Sequence, residues 1–224
     1  MNGMARVAGA LMMAGTAWAG GLTVTAVTVG PVPADFQKGE DPVVALATVT
    51  INGVLDIAEV RVLESGGKKS IKYPEFVRKP STGTAQMGGP RSFPNVKVIN
   101  EALNKAIESA VLSGKPAGPL SPTGESSAQH GLTYEVSKLS KPQFNRPGSR
   151  FKGSVDVTFN KALVVIMPLM QDEKGTNVVT RWPARRANME DKHSSRISIV
   201  NLRDAVLRAD IEKKVLDLYS TQEE

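Results

Sequence analysis

The sequence predicts an α+β fold: two tandem small antiparallel β-sheet domains, each followed by a C-terminal helix, forming a pseudo-dimer. Three observations lead there. The stretch VTINGVLDIAEVRVLES, from Val49 to Ser65, returns 108 positions later as VTFNKALVVIMPLMQDE, from Val157 to Glu173. IESAVL, from Ile107 to Leu112, returns 104 positions later as IEKKVL, from Ile211 to Leu216. Between the copies, Ser113 to Gly131 has no apolar period and is rich in Pro, Gly and Ser, so it reads as a linker. The boundaries that follow are a leader at 1–19, repeat one at 20–112, the linker at 113–131 and repeat two at 132–224. Copies of this size are marginal alone and leave sheet edges open. Pairing them side by side or face to face covers those edges, as an isologous dimer does.

In repeat one, Leu22 to Val29 alternates apolar and polar residues and reads as a strand. A Pro/Gly-broken loop leads to Val43–Ile51, with Val43, Ala45, Ala47, Val49 and Ile51 on one face. Asn52-Gly53 supplies the positive φ angles of a two-residue type I′ turn, so Val54 to Leu63 is the return strand of a hairpin. Glu64 to Lys69 is a turn and Ser70 to Tyr73 a short third strand. Arg78 to Asn95 reads as a long polar loop. From Val96 the period changes: Val96, Ile99, Leu103, Ile107 and Val111 make one helical stripe to Leu112.

Repeat two follows the same order. Tyr134 to Leu139 is a strand, then a loop, then Phe151 to Phe159 with Phe151, Val155, Val157 and Phe159 on one face. Asn160-Lys161 stands where repeat one has Asn-Gly, and lysine is a poorer residue for that turn. Ala162 to Met170 returns, and Pro168 within it implies an edge or bulge because proline has no N–H to donate. Val178 to Trp182 is a third strand. The closing helix is expected from about Leu202 to Leu218, carrying Leu207, Ile211, Val215 and Leu218, with Asn201 as N-cap and Asp204 in its first turn.

The chain has 224 residues, 41% hydrophobic and 22% charged, with only 5% aromatic, so its core must be aliphatic. With no cysteine, disulfides, thiolate metal sites and a cysteine nucleophile are excluded. Two histidines, His130 and His193, do not make a zinc site without carboxylates at unhelpful spacing, and no cofactor or metal is expected. The net charge of +6 is uneven: residues 20–112 hold 10 Lys+Arg against 9 Asp+Glu, and residues 134–224 hold 16 against 12. RWPARRANMEDKHSSR, from Arg181 to Arg196, is the densest basic stretch. Such a patch either binds phosphate backbones by releasing counterions or is a solvated loop that aids solubility.

The leader has one positive charge, Arg6, an apolar or small run from Val7 to Ala19, and Ala17-Trp18-Ala19 before Gly20. That is the order of a cleavable secretory signal, too short to span a bilayer. Cleavage would leave a mature chain beginning near Gly20, outside the cytoplasm. Alternatively, translation starts at Met4, Met12 or Met13 and the protein is cytoplasmic.

The leading strand LTVTAV, the hairpin ALATVTINGVLDIAEVRVLES and a terminal helix ending in AVL resemble the stage V sporulation protein G (SpoVG) septation-regulator family. VLDIAEVRVLE, from Val54 to Glu64, is the most specific part; the second copy is seen in GSVDVTFNKALVV and in LRDAVL, from Leu202 to Leu207. The resemblance covers most of residues 22–112 and 132–219. It implies a small antiparallel sheet with a C-terminal helix, and a DNA- and RNA-binding regulator tied to septation or sporulation. Its contacts are attributed to basic residues after the sheet, here Arg181, Arg185, Arg186, Lys192, Arg196 and Arg203. The family is ordinarily single-copy and cytoplasmic. Its Met-Pro-Ser segment stands here as Tyr73-Pro74-Glu75 and Trp182-Pro183-Ala184.

The nucleic-acid reading expects Arg185 and Arg186 to grip phosphates with Trp182 stacking on a base; the competing reading buries Trp182 between sheet and helix. No catalytic constellation is found. His193 reads as a surface loop residue, Asp172-Glu173 as a solvated turn, and the glycine-rich GTAQMGGP lacks the lysine and helix start of a phosphate loop. The partners expected are DNA or RNA if the chain is cytoplasmic, or an envelope protein if it is exported.

Overall fold

The computed structural model describes residues 21–33, 36, 42–78, 91–116, 131–142, 149–187 and 193–222. The leader with Ala17, Ala19 and Gly20, most of the linker, and Lys192 lie outside them. The chain is α+β, mostly antiparallel sheet with two helices. In order, the elements are β1 (Val24–Gly30), β2 (Val43–Ile51), β3 (Leu55–Ser65), β4 (Lys68–Lys72), β5 (Glu75–Arg78), β6 (Arg91–Pro94), β7 (Val96–Val98) and α1 (Glu101–Ser113). The second half gives β8 (Tyr134–Ser140), β9 (Phe151–Phe159), β10 (Leu163–Gln171), β11 (Val178–Thr180), β12 (Ala184–Arg186), β13 (Arg196–Ser198), β14 (Val200–Leu202) and α2 (Ala205–Thr221).

The hairpins form as expected, and both turns use the same device. Asn52 and Gly53 have φ of 48° and 74°; Asn160 and Lys161 have 46° and 54°. Lys161 therefore takes the left-handed conformation that glycine takes in the first copy. The asparagine explains why. Its side-chain oxygen accepts from the N–H of Thr23 in one half (2.7 Å) and of Thr133 in the other (3.0 Å). Its amide donates to the carbonyl of Gly21 or of Gly131. Each turn is thus tied to the start of its own first strand, and that tertiary support offsets the cost of a lysine at positive φ.

Two short strands depart from the sequence reading. Val96 was expected on the helical stripe, and Asn201 as an N-cap. Instead β7 pairs with β10, Val96 opposite Val165 and Val98 opposite Leu163. Correspondingly, β14 pairs with β3, Val200 opposite Ile57 and Leu202 opposite Leu55. The sheet of each half is therefore completed by a strand from the other half: β1-β2-β3-β14 with β4 on β3, and β11-β10-β9-β8 with β7 on β10. The helices start only after these strands. Asn100 caps α1 by accepting from Leu103 N–H at 2.9 Å, and Asp204 caps α2 by accepting from Val206 and Leu207. Val96 and Val200 gain ladder bonds and burial as strand residues, which a frayed helical turn would not give them.

The segments read as loops after the third strands also carry structure, two-stranded ribbons β5–β6 and β12–β13. The third strand of the second half ends at Thr180 rather than Trp182. Pro168 sits in β10 between the stretches paired with β7 and with β11. Its carbonyl accepts from Arg181 N–H at 3.2 Å, and the β9–β10 register shifts beside it, between Leu169 and Met170, so of the edge or bulge that the sequence implies it is a bulge that accompanies the proline.

Each helix lays its buried stripe on the sheet of its own half, α1 on β1, β2 and β4, α2 on β8 and β11. Leu103, Ile107 and Val111 from α1, Leu207, Ile211 and Val215 from α2, and the inward residues of both sheets form one continuous aliphatic core. Gly153 in β9 has φ of +150°, and a Cβ there would lie 2.6 Å from the Ser140 carbonyl oxygen of β8. Gly153→Ala must displace backbone, and we expect a loss of about 2–4 kcal/mol in denaturant unfolding.

Candidate nucleic-acid interface

The basic stretch is split by the fold into two groups with different neighbours. Arg186 and Arg196 lie directly opposite each other across the β12–β13 ribbon. Arg181 precedes the ribbon, just past the end of β11. The Arg196 guanidinium is held below its usual pKa, first by partial burial and then by the charges of Arg181, Arg186 and Arg150. It remains a cation, because arginine does not lose its proton in proteins. The direction records a site where like charges converge. Among the described residues no carboxylate forms an ion pair with any of the four.

Arg150 was not among the residues singled out from the sequence. It stands just before β9, donating from Nε to the Gln171 carbonyl at 3.0 Å. Only the antiparallel pairing of β9 with β10 brings it beside the ribbon, so no local signal marks it.

Arg185 and Arg203 take another course. Arg185 donates from Nε to Glu59, which sits in β3 with an unusual φ of +59°. Its guanidinium also lies 5.8 Å from the centre of the Phe36 ring, with Arg61 at 5.5 Å from the same ring. Arg203 forms a two-point pair with Asp56 of β3, both contacts at 2.8 Å. These two arginines hold the second half to the first, and their charge is matched. The Arg185/Arg186 pair expected to act together is therefore divided, since alternate residues of a strand face opposite ways.

Trp182 is 6% exposed and packed in the core. Its indole N–H donates to Glu212 of α2 at 2.8 Å, and Arg208 lies over the ring at 5.8 Å while bonding the same carboxylate. The ring faces are covered, so base stacking on Trp182 is not available. His193 is exposed. Asp172 lies in a turn; desolvation pushes its carboxyl up, but donors from Thr176 and Asn177 outweigh it and hold the pKa down to about 2. That is a carboxylate closing a turn.

Comparison with protein-family models, with curated proteins and with solved structures finds no match.

Proposed function

We propose that the chain is an internally duplicated, SpoVG-like septation-regulator protein, its halves paired as a pseudo-dimer, that binds nucleic acid without catalysing a reaction. The duplication is supported by a repeated pattern of main-chain bonds. Ala58 N–H donates to Ile199, and Ile166 N–H to Asn95; Asn95 N–H donates to Pro74, and Ile199 N–H to Pro183. The first pair differs by 108 in the hairpin and 104 in the exchanged strand, as the two sequence repeats do.

One observation carries the binding reading: Arg186 and Arg196 face each other across the β12–β13 ribbon with Arg181 just before it, the charges of Arg150, Arg181 and Arg186 bear on Arg196, and none of the four pairs with a carboxylate among the described residues. Clustered cations repel one another, and a polyanion that neutralises them releases its own counterions. Arginine forks suit phosphate oxygens, and contacts of this kind position a backbone rather than read bases. Arg181→Ala/Arg186→Ala/Arg196→Ala is expected to weaken binding to labelled DNA about tenfold or more, measured by anisotropy. Arg203→Ala, which removes a matched charge, is expected to leave affinity unchanged. Equal affinity of wild type and triple variant would sink the reading.

The order of charge, apolar run and small-x-small triplet in residues 1–20 supports a second reading, an exported module that binds an envelope protein. The N-terminal mass of protein from its native cell decides between them. A chain beginning near Gly20 outside the cytoplasm favours export; a retained leader or a start at Met4, Met12 or Met13 favours the nucleic-acid reading.

A further inference from the structure

β1 and β8 are the outermost strands of the two sheets, at the ends away from the exchanged strands. They are the same strand in the two halves. Gly21-Leu22-Thr23 leads into one and Gly131-Leu132-Thr133 into the other, so Thr25, Thr28 and Pro31 stand where the second half has Glu135, Lys138 and Lys141. β8 carries the devices that keep a free edge from pairing. Glu135 and Lys138 are exposed charges, and Lys138 lies in a bulge, at a φ of 39° where the β8–β9 register shifts between Ser137 and Leu139. β1 lacks them. From Gly21 to Pro33 there is no charged residue. The pairing of β1 with β2 is regular from Ala26 to Gly30, and its one register shift lies before that stretch, between Val24 and Ala26. Among the described residues no main-chain bond reaches Val24–Gly30 besides those to β2. Thr28 and Val29 are exposed, Val29 at 40%. A bare edge of this kind is a template for another strand.

We propose that β1 is a dimerisation edge that pairs antiparallel with β1 of a second copy of this chain across a two-fold axis. The regular stretch is centred on Thr28 and closed by Pro31, which has no N–H to donate. Thr28 therefore lies opposite its own copy and Val27 opposite Val29 of the partner subunit, and cross-strand pairs of these types are favourable. Charge points to a second copy as the occupant. A two-fold sets the residue on its axis against its own kind. The same pairing by β8 would set Lys138, the counterpart of Thr28, against another lysine, whereas β1 brings no charge to the contact. The rest of each half agrees. Residues 20–112 hold 10 Lys+Arg against 9 Asp+Glu, so two first halves approach with little net repulsion, while two second halves, at 16 against 12, would each bring net positive charge. The pairing stands apart from the nucleic-acid reading, and it would carry two arginine clusters on one particle.

Five paired residues make a small interface, so the test uses the full chain at high concentration. Sedimentation equilibrium at about 100 µM is expected to give twice the chain mass. Thr28→Lys is expected to weaken the dimer about tenfold or more with Tm unchanged, because the side chain is exposed, and Lys138→Glu on β8 to leave the dimer as it is. The chain has no cysteine, so a single introduced one is a second probe. Mild oxidation of Thr28→Cys is expected to give a reducible covalent dimer, and Lys138→Cys is expected to cross-link far more slowly. A wild type that stays monomeric at that concentration overturns the proposal and leaves the edge to a foreign strand. A dimer that Thr28→Lys leaves intact also overturns it, since the contact then lies elsewhere. Equal cross-linking of the two cysteine variants does the same.

Discussion

Expressed as separate chains, residues 20–112 and 132–224 will each fail to fold to a stable monomer and will fold together on mixing. Each fragment carries a strand that belongs to the other sheet. Without β14, the start of β3 loses its partner on one side and the 1% or less exposed Leu55, Ile57, Val200 and Leu202 lose their cover. Without β7, the same befalls Leu163 and Val165 in β10. Domains of about this size have little stability to spare, and an open strand edge invites association. Unlike halves will be preferred over like ones. By the repeat offsets, a pair of first halves would set Ile99 where Arg203 meets Asp56, leaving that carboxylate unmatched. Dispersed amide NMR spectra from an equimolar mixture, and collapsed spectra from each fragment alone, are the expected result. A well-dispersed monomeric spectrum from either fragment would show that the exchanged strand is dispensable.

The second large effect is on Trp182. Its replacement by alanine removes a buried ring, and with it the bond to Glu212 and the contact with Arg208 that fasten α2 to the end of its sheet. Large-to-small changes of this kind cost about 3–5 kcal/mol. For a chain of this length that corresponds to a fall in Tm of roughly 10 °C or more. Nucleic-acid affinity of the remaining folded protein is expected to stay as it was at a temperature well below the transition. A selective loss of binding with unchanged Tm would instead mean that the ring takes part in recognition.

The periodic parts of the fold were legible in the sequence. Alternation marked β1, β2, β8 and β9, Asn52-Gly53 marked the first turn, and Leu103, Ile107 and Val111 with Leu207, Ile211 and Val215 marked the buried faces of α1 and α2. Ile99, expected on the first stripe, instead lies before α1 and is exposed, as is Phe151 at the start of β9. The exchanged strands were not. Val96–Val98 and Val200–Leu202 are three residues each, and an apolar residue leading a helical stripe looks the same whether it begins the helix or ends a strand. Only pairing with β10 and β3 decides it, and that is a long-range fact. The ribbons were hidden for a similar reason: EFVR and RSFP sit among prolines, and their partners lie across a segment with no pattern of its own.

The candidate site shows the same division. That the second half was the basic one could be counted. Which arginines are matched could not, because Glu59 and Asp56 lie more than a hundred residues before Arg185 and Arg203. Arg185 and Arg186 are neighbours in sequence and face different surroundings in space. Trp182 next to them could be read for a base or for the core, and its burial beside Glu212 of α2 places it in the core.

The most direct test of the proposed function is the slope of log Kd against log salt concentration for the wild-type chain on a DNA duplex. Each phosphate neutralised contributes about 0.9 to that slope. Four converging arginines predict a slope of roughly 3 to 4, falling by about 2 to 3 in Arg181→Ala/Arg186→Ala/Arg196→Ala. A flat salt response, or a steep one that the triple variant leaves unaltered, would contradict a phosphate-binding arginine cluster.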